Sequence, residues 1–188
     1  MRRPAEGSWG TPRVLGRGYA PVVDADSRGN VTVVWLNRRE GFTDGVLAVR
    51  RPVGGTWSEP VRLTRDRSVP DYPSGGEEPY GAADVDLAVN GRGAAVTTWT
   101  WGSDDRDVPW RIQASTRPAA GPWRGPRDVT PPGPVRHPDV DIAADGTATL
   151  LYGRQPFGHP QALLVRRRVP GVGWTKPVTV AAEGYAHA

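Results

Sequence analysis

GTWSEPVRLT, from Gly55 to Thr64, decides how this chain is read, because it returns in variant form three times. The variants are GSWGTPRVL at Gly7–Leu15, GPWRGPRDVT at Gly121–Thr130 and VGWTKPVTV at Val172–Val180. A tryptophan and a proline recurring about every 50 to 65 residues in short β-type segments mark a repeat architecture. The chain must therefore be put in register before any residue is assigned a role. Recurring indoles at Trp9, Trp57, Trp123 and Trp174 are expected to pack between repeats, and residues that occur once are the candidates for recognition.

Upstream of each phrase stands a second recurring segment: PVVDADSRGNVTVVWL from Pro21, ADVDLAVNGRGAAVTTW from Ala83 and PDVDIAADGTATLLY from Pro138. Each reads as a strand, a turn rich in Gly, Asn or Asp, and a second strand ending at Trp35, Trp99 or Tyr152. A third apolar segment follows, GVLAVRRPV from Gly45, PWRIQASTRP from Pro109 and QALLVRRRVP from Gln161. Every unit thus has four strands. In the first they are expected near Pro21–Asp26, Val31–Arg38, Gly45–Val53 and Thr56–Thr64.

Alternation supports strands: Val85, Leu87 and Val89 fall on one face, Asp84, Asp86 and Ala88 on the other. Four-stranded antiparallel units repeating side by side predict an all-β fold, a β-propeller of three complete blades with partial blade strands at the termini. The predicted division is a strand remnant over 1–15, blades over 19–64, 82–130 and 137–180, and the start of a further repeat over 181–188. Three blades do not close a ring, so the reading expects a homo-oligomer, with a six-bladed dimer favoured, or a segment of a longer array.

The blade pattern resembles bacterial repeat proteins of the sialidase-like propeller type, whose blades carry an Asp-box, S-x-D-x-G-x-x-W, at the turn between third and fourth strands. Gly54 and Trp57 fill its glycine and tryptophan positions, and Arg50 and Pro52 stand at those of its serine and aspartate. The resemblance implies the propeller fold and, as the family's activity, glycoside hydrolysis.

Composition narrows the function classes. There are no cysteines, which excludes disulfides and cysteine-ligated zinc. The formal charge of +4 is carried by arginines dispersed among acids, with Lys176 the sole lysine, so no nucleic-acid surface is expected. No apolar run approaches a membrane span, and the start has no signal-peptide pattern. The compartment is left open, a secreted parent protein included. No cofactor or metal is expected: His137, His159 and His187 are scattered, and no loop has EF-hand spacing. Asp24, Asp86 and Asp141, read as equivalent, are assigned repeated hydrogen bonds to a turn or to neighbouring backbone.

The long connections all emerge on one rim, and scaffold loops of that kind carry binding. They hold the aromatics and charges that do not recur: Trp101 and Trp110 flanking Asp104, Asp105, Arg106 and Asp107, and Tyr72, Glu77, Glu78 and Tyr80 in the longest loop. An aromatic platform beside carboxylates and an arginine suits a sugar. The sequence is therefore read as a non-catalytic binding module, lectin-like with a glycan or protein ligand. A sialidase-like hydrolase and a purely structural half-ring are the alternatives.

Overall fold

The structure, a computed structural model, describes residues 11–39, 42–64, 81–102, 109–155 and 161–182. Among these residues every regular element is a β-strand, in three antiparallel sheets that follow chain order. The first contains β1 (Tyr19–Ala25), β2 (Val31–Arg39), β3 (Phe42–Arg51) and β4 (Val61–Arg62). The second contains β5 (Gly81–Val89), β6 (Ala95–Gly102), β7 (Arg111–Arg117) and β8 (Arg127–Asp128). In the third, β9 (Val135–Ile142), β10 (Ala148–Arg154) and β11 (Ala162–Val169) lie in order, and β11 pairs with both β12 (Gly173–Trp174) and β13 (Val178–Ala182). The fourth strand expected over Thr56–Thr64 contracts to the two residues of β4, since Pro60 brings no N–H to a ladder.

Hairpin chemistry sets the register. In each turn between first and second strands, a glycine at positive φ closes a tight bend: Gly29 at 81°, Gly93 at 88° and Gly146 at 86°. Their N–H groups donate to the carbonyls of Asp26, Asn90 and Ala143 at 2.9, 2.8 and 2.9 Å. Only glycine adopts that conformation without steric cost. These turns make Asp26, Asn90 and Ala143 equivalent positions.

Each first strand also carries a bulge at a residue other than glycine with positive φ: Ala20 at 48°, Asp84 at 50° and His137 at 52°. Counting through the bulges corrects one expectation. Asp24 and Asp141 pair opposite Thr32 and Thr149, whereas Asp86 pairs opposite Thr98, two positions earlier in its strand. Asp86 is therefore equivalent to Asp139 and Val22, not to Asp24.

The sheets stack face to face. Val34, Leu36, Val46, Ala48 and Leu63 of the first pack on Ala82, Val85, Leu87, Ala95 and Trp99 of the second. On the opposite face of the second, Val96, Ile112, Ala114 and Val129 pack on Val140, Ile142, Leu150, Tyr152 and Leu164 of the third. The second sheet is thus buried on both sides, and its β6 reads almost continuously buried. Polar pins cross both interfaces. The Val89 N–H donates to Asp24 Oδ2 at 2.6 Å, and the Val140 N–H to Asp86 Oδ2 at 2.7 Å. At the turns, Ser27 Oγ donates to the Gly91 carbonyl at 2.6 Å and Asn90 Nδ2 to the Ala143 carbonyl at 3.0 Å. A repeated bond to a turn or to neighbouring backbone was expected of Asp24, Asp86 and Asp141; Asp24 and Asp86 make it to the next sheet, whereas Asp141 Oδ1 accepts the N–H of Ile142 in its own strand.

The outer faces continue the pattern without a neighbour. Val46 and Ile112 are both fully buried, and their equivalent Leu163 is 39% exposed; Leu63 and Val129 are buried, and their equivalent Val180 is 56% exposed. On the first sheet, residues 16–18 cover Trp35, whose Nε1 donates to the Arg17 carbonyl at 3.0 Å, with Gly16 and Gly18 close against the ring.

The recurring indoles play a lesser part than expected. Trp57, Trp123 and Trp174 are half-buried; Trp9 lies outside the described residues. Trp123 and Trp174 pack at the margins of the two cores, while Arg51 and Arg117 stack over Trp57 and Trp123 at 5.4 and 5.6 Å. The third member repeats the pairing in register, Arg168 opposite Trp174. The large buried aromatics are instead Trp35, under residues 16–18 on the outer face of the first sheet, and Trp99 and Tyr152 inside the two interfaces, at 5%, 0% and 3% exposure. Trp99→Ala is accordingly expected to cost about 3–5 kcal/mol, as for a fully buried aromatic. Trp57→Ala, which removes a half-exposed cation–π contact, should cost about 1 kcal/mol. Urea denaturation of the two variants measures the difference, and equal costs would contradict this division.

Candidate binding site on the second sheet

Trp101 ends β6 and lies opposite Arg111 at the start of β7. Its ring is half-buried at the margin of the core between the first and second sheets. Beside it runs a hydrogen-bonded series. Trp99 Nε1 donates to Gln113 Oε1 at 3.2 Å, Gln113 Nε2 donates to Asp128 Oδ1 at 2.8 Å, and Arg111 Nη1 donates to Asp128 Oδ2 at 3.2 Å. Buried Trp99 holds the amide, the amide and guanidinium hold the carboxylate, and Trp101 forms a wall. Trp101, Arg111, Gln113 and Asp128 line one side of a cavity of about 840 Å3 that also takes in Thr64. An indole face beside fixed amide, guanidinium and carboxylate groups is chemistry that can stack a ring and bond its hydroxyls.

Trp110 stands at the same end of the sheet, on the other face. Arg136 of the third sheet lies over its ring at 3.9 Å, and its carbonyl accepts the Gly133 N–H at 2.7 Å. The two indoles therefore do not meet in one platform among the described residues. Asp104, Asp105, Arg106, Asp107, Tyr72, Glu77, Glu78 and Tyr80 lie outside the described residues.

The bulges bring together two residues the sequence reading left aside. Asp84 Oδ2 accepts the His137 N–H at 3.2 Å and lies 3.6 Å from His137 Nδ1, while Thr100 Oγ1 reaches both the Ala83 carbonyl and Asp84. Their shared bulge position was the signal, but it becomes visible only when strands are paired, because a bulge breaks the alternation used to align them.

Two carboxylates are shifted in opposite directions. Burial raises the Asp86 carboxyl above its ordinary 3.8, against the N–H bonds it accepts from Val140 and Leu87 and with the help of the charges on Asp139 and Asp24. Burial also acts to raise Asp26, but there it is outweighed. The Asn30 side chain and N–H, the Arg28 N–H and the charge of Arg50 hold that carboxyl below 3.8. Among the described residues no group of three His, Asp or Glu side chains is placed to hold a metal ion.

No protein-family model and no curated protein matches this chain. Among solved structures it is similar to a Hadza microbial sialidase, at 14% identity and a TM-score of 0.60 over 87% of this chain and 38% of that one. It is also similar to a Trypanosoma rangeli sialidase in complex with the inhibitor DANA, at 14% identity and a TM-score of 0.53 over 92% of this chain and 32% of that one. The chain spans about a third of the length of the sialidases it matches. At this identity the likeness shows a sialidase-like arrangement of β-sheets and nothing finer.

The two shifts have opposite consequences for stability. A carboxyl raised on folding contributes stability that is present below its unfolded pKa and lost as pH rises through the folded value. A lowered one contributes stability present above the unfolded pKa and lost as pH falls through the folded value. Relative to Asp86→Asn, the wild type should therefore gain stability as pH falls through the carboxylate range; relative to Asp26→Asn it should lose it. Denaturation midpoints of the three proteins between about pH 3 and 7 test the signs, and parallel profiles would refute both.

Proposed function

We propose that this chain is a non-catalytic binding module of β-propeller type that recognises carbohydrate through the rim where Trp101 and Trp110 stand. The observation that carries this reading is the Trp101 wall beside the Gln113, Asp128 and Arg111 series, linked by hydrogen bonds to the buried Trp99. The sialidase-like fold adds a scaffold on which a glycan-related role is reasonable, although fold alone assigns none. The long rim loops, with Asp104, Asp105, Arg106, Asp107, Tyr72, Glu77, Glu78 and Tyr80, belong to the same proposed surface.

In this reading a second copy of the chain completes the ring. Its support is continuity with the interfaces inside the chain. Leu163 and Val180 repeat positions that are buried in the first two sheets, and exposed Asp139 is the equivalent of Asp86, whose carboxylate takes a backbone N–H from the next sheet. The outer face of the first sheet offers the complement, with Val23 equivalent to Leu87 and Val140. Residues 16–18 already occupy part of that face, over Trp35.

A hydrolase reading would draw its carboxylates from the rim-loop acids Asp104, Asp105, Asp107, Glu77 and Glu78. A paired carboxylate across a scissile bond would still be needed. Turnover of fluorogenic glycosides, abolished by single substitutions among those loop acids, would displace the binding reading.

Glycan-array signal is expected for the wild-type protein and should fall about tenfold or more for Trp101→Ala, a loss of ~1.4 kcal/mol or more, with the fold intact by circular dichroism. Unchanged signal in that variant removes the Trp101 site. Light scattering at micromolar concentration should give twice the chain mass, and Leu163→Asp should return it to one; a wild-type monomer would defeat the two-copy ring.

A further inference from the structure

The cavity beside Trp101 continues round the short outer strand β8 into the cleft between the second and third sheets. Asp128 shares a face with Gln113, toward the first sheet, whereas Arg127 shares a face with Ala114, which packs toward the third. On this second side the lining includes Arg124, Arg127, Arg168, Thr116 and Trp174. Asp128, on the other side, is taken by Arg111 and Gln113. Among the described residues no carboxylate pairs with Arg124, Arg127 or Arg168.

The equivalent cleft between the first and second sheets is differently furnished. There Arg117 takes the position of Arg168, donates to Thr32 Oγ1 at 3.4 Å and is brought by burial to about 10, with Arg50 adding repulsion and Asp26 opposing it. Asp26 also lies 3.8 Å from Arg50. One carboxylate thus sits among two guanidinium groups. In the second sheet the position of Asp26 is held by Asn90, a neutral amide. Its donor goes to the Ala143 carbonyl and its acceptor takes the N–H groups of Arg92 and Ala94. Arg168 keeps the cation and loses the built-in anion. Instead it faces a like charge: burial and the guanidinium of Arg124 both disfavour its charged form. Arg166, its neighbour on the same face, is not free, since it donates to the carbonyls of Val129 and Thr175.

Like charges lining one cleft repel each other unless an anion lies between them, and guanidinium groups bind oxoanions in bidentate fashion. We propose that the outer cleft between the second and third sheets is a binding site for an oxoanion group, a sulfate or phosphate, held by Arg168 and Arg124 with Arg127 at the mouth. The cavity is far larger than a bare ion, so the group is a substituent on a larger ligand, with Trp174 as the adjoining wall. The site does not rest on the saccharide reading of the Trp101 face.

The test uses the whole chain at low ionic strength. Sodium sulfate and sodium phosphate, against sodium chloride at matched ionic strength, are followed by melting temperature and by titration calorimetry. A sulfated disaccharide and its desulfated form are then compared. Sulfate or phosphate should raise the melting temperature more than chloride, and the sulfated disaccharide should bind at least tenfold tighter than either its desulfated form or the inorganic ion. Arg168→Gln and Arg124→Gln should each weaken binding tenfold or more, while melting no lower than the wild type in anion-free buffer. Arg124 is exposed, so that variant keeps the test open should Arg168→Gln fail to fold. Absence of any anion-specific response, or an equal response in wild type and Arg124→Gln, overturns the site. Equal binding of inorganic ion and sulfated disaccharide overturns the substituent and leaves the free ion as ligand.

Discussion

Sheet-on-sheet stacking, pinned by aspartate carboxylates that take backbone N–H groups from the next sheet, is the interaction on which the rest of this structure depends. A single four-stranded sheet of this length has two apolar faces and cannot hide either alone. Stacking buries one face of each neighbour, but it also brings the free edge of one first strand against the next, with N–H groups that need acceptors. Asp24 and Asp86 supply them at 2.6 and 2.7 Å. The turn bonds from Ser27 to Gly91 and from Asn90 to Ala143 repeat the device at the end of the sheets, so the spacing between neighbours is set at two heights.

The two interfaces built this way are alike in their apolar layers and different in their charges. Position by position, Val46 and Ile112 play one part and Leu63 and Val129 another. At the outer edge, however, Asp26 lies among Arg50 and Arg117 in the first interface and offsets part of their charge, and Asn90 leaves Arg168 with Arg124 and no carboxylate in the second. Repetition of a scaffold frees individual positions to vary, because the packing layers carry the stability while the edge residues see only local charge. The rim residues Trp101 and Trp110 vary for the same reason.

Much of the fold was legible in the chain. Four strands per unit, their alternation and the glycine turns follow from local chemistry. Trp101 was legible as an aromatic outside the repeat, and the structure places it on the cavity. Arg111, Gln113 and Asp128 were not, since nothing in their own neighbourhood in sequence joins Gln113 to Asp128 across two strands. The recurrence of Trp57, Trp123 and Trp174 pointed to packing; it reflects a partly exposed stack on a strand arginine for the first two, and a position opposite Arg168 for the third. Recurrence reports a shared local environment, and it does not report depth.

By itself the sequence determined the strand content, the number of units and the order of sheets, because period-two alternation and turn glycines act within a few residues of each other. The tertiary structure alone decided which aromatics lie at the centre, that Asp86 aligns with Asp139 rather than with Asp24, and which arginines have a carboxylate within reach. Those outcomes depend on bulges at Ala20, Asp84 and His137, and on side chains brought together from 50 to 90 residues apart. A one-position shift in pairing turns a side chain to the other face of a sheet, so burial and charge partners are settled only when the strands are paired and the sheets are stacked.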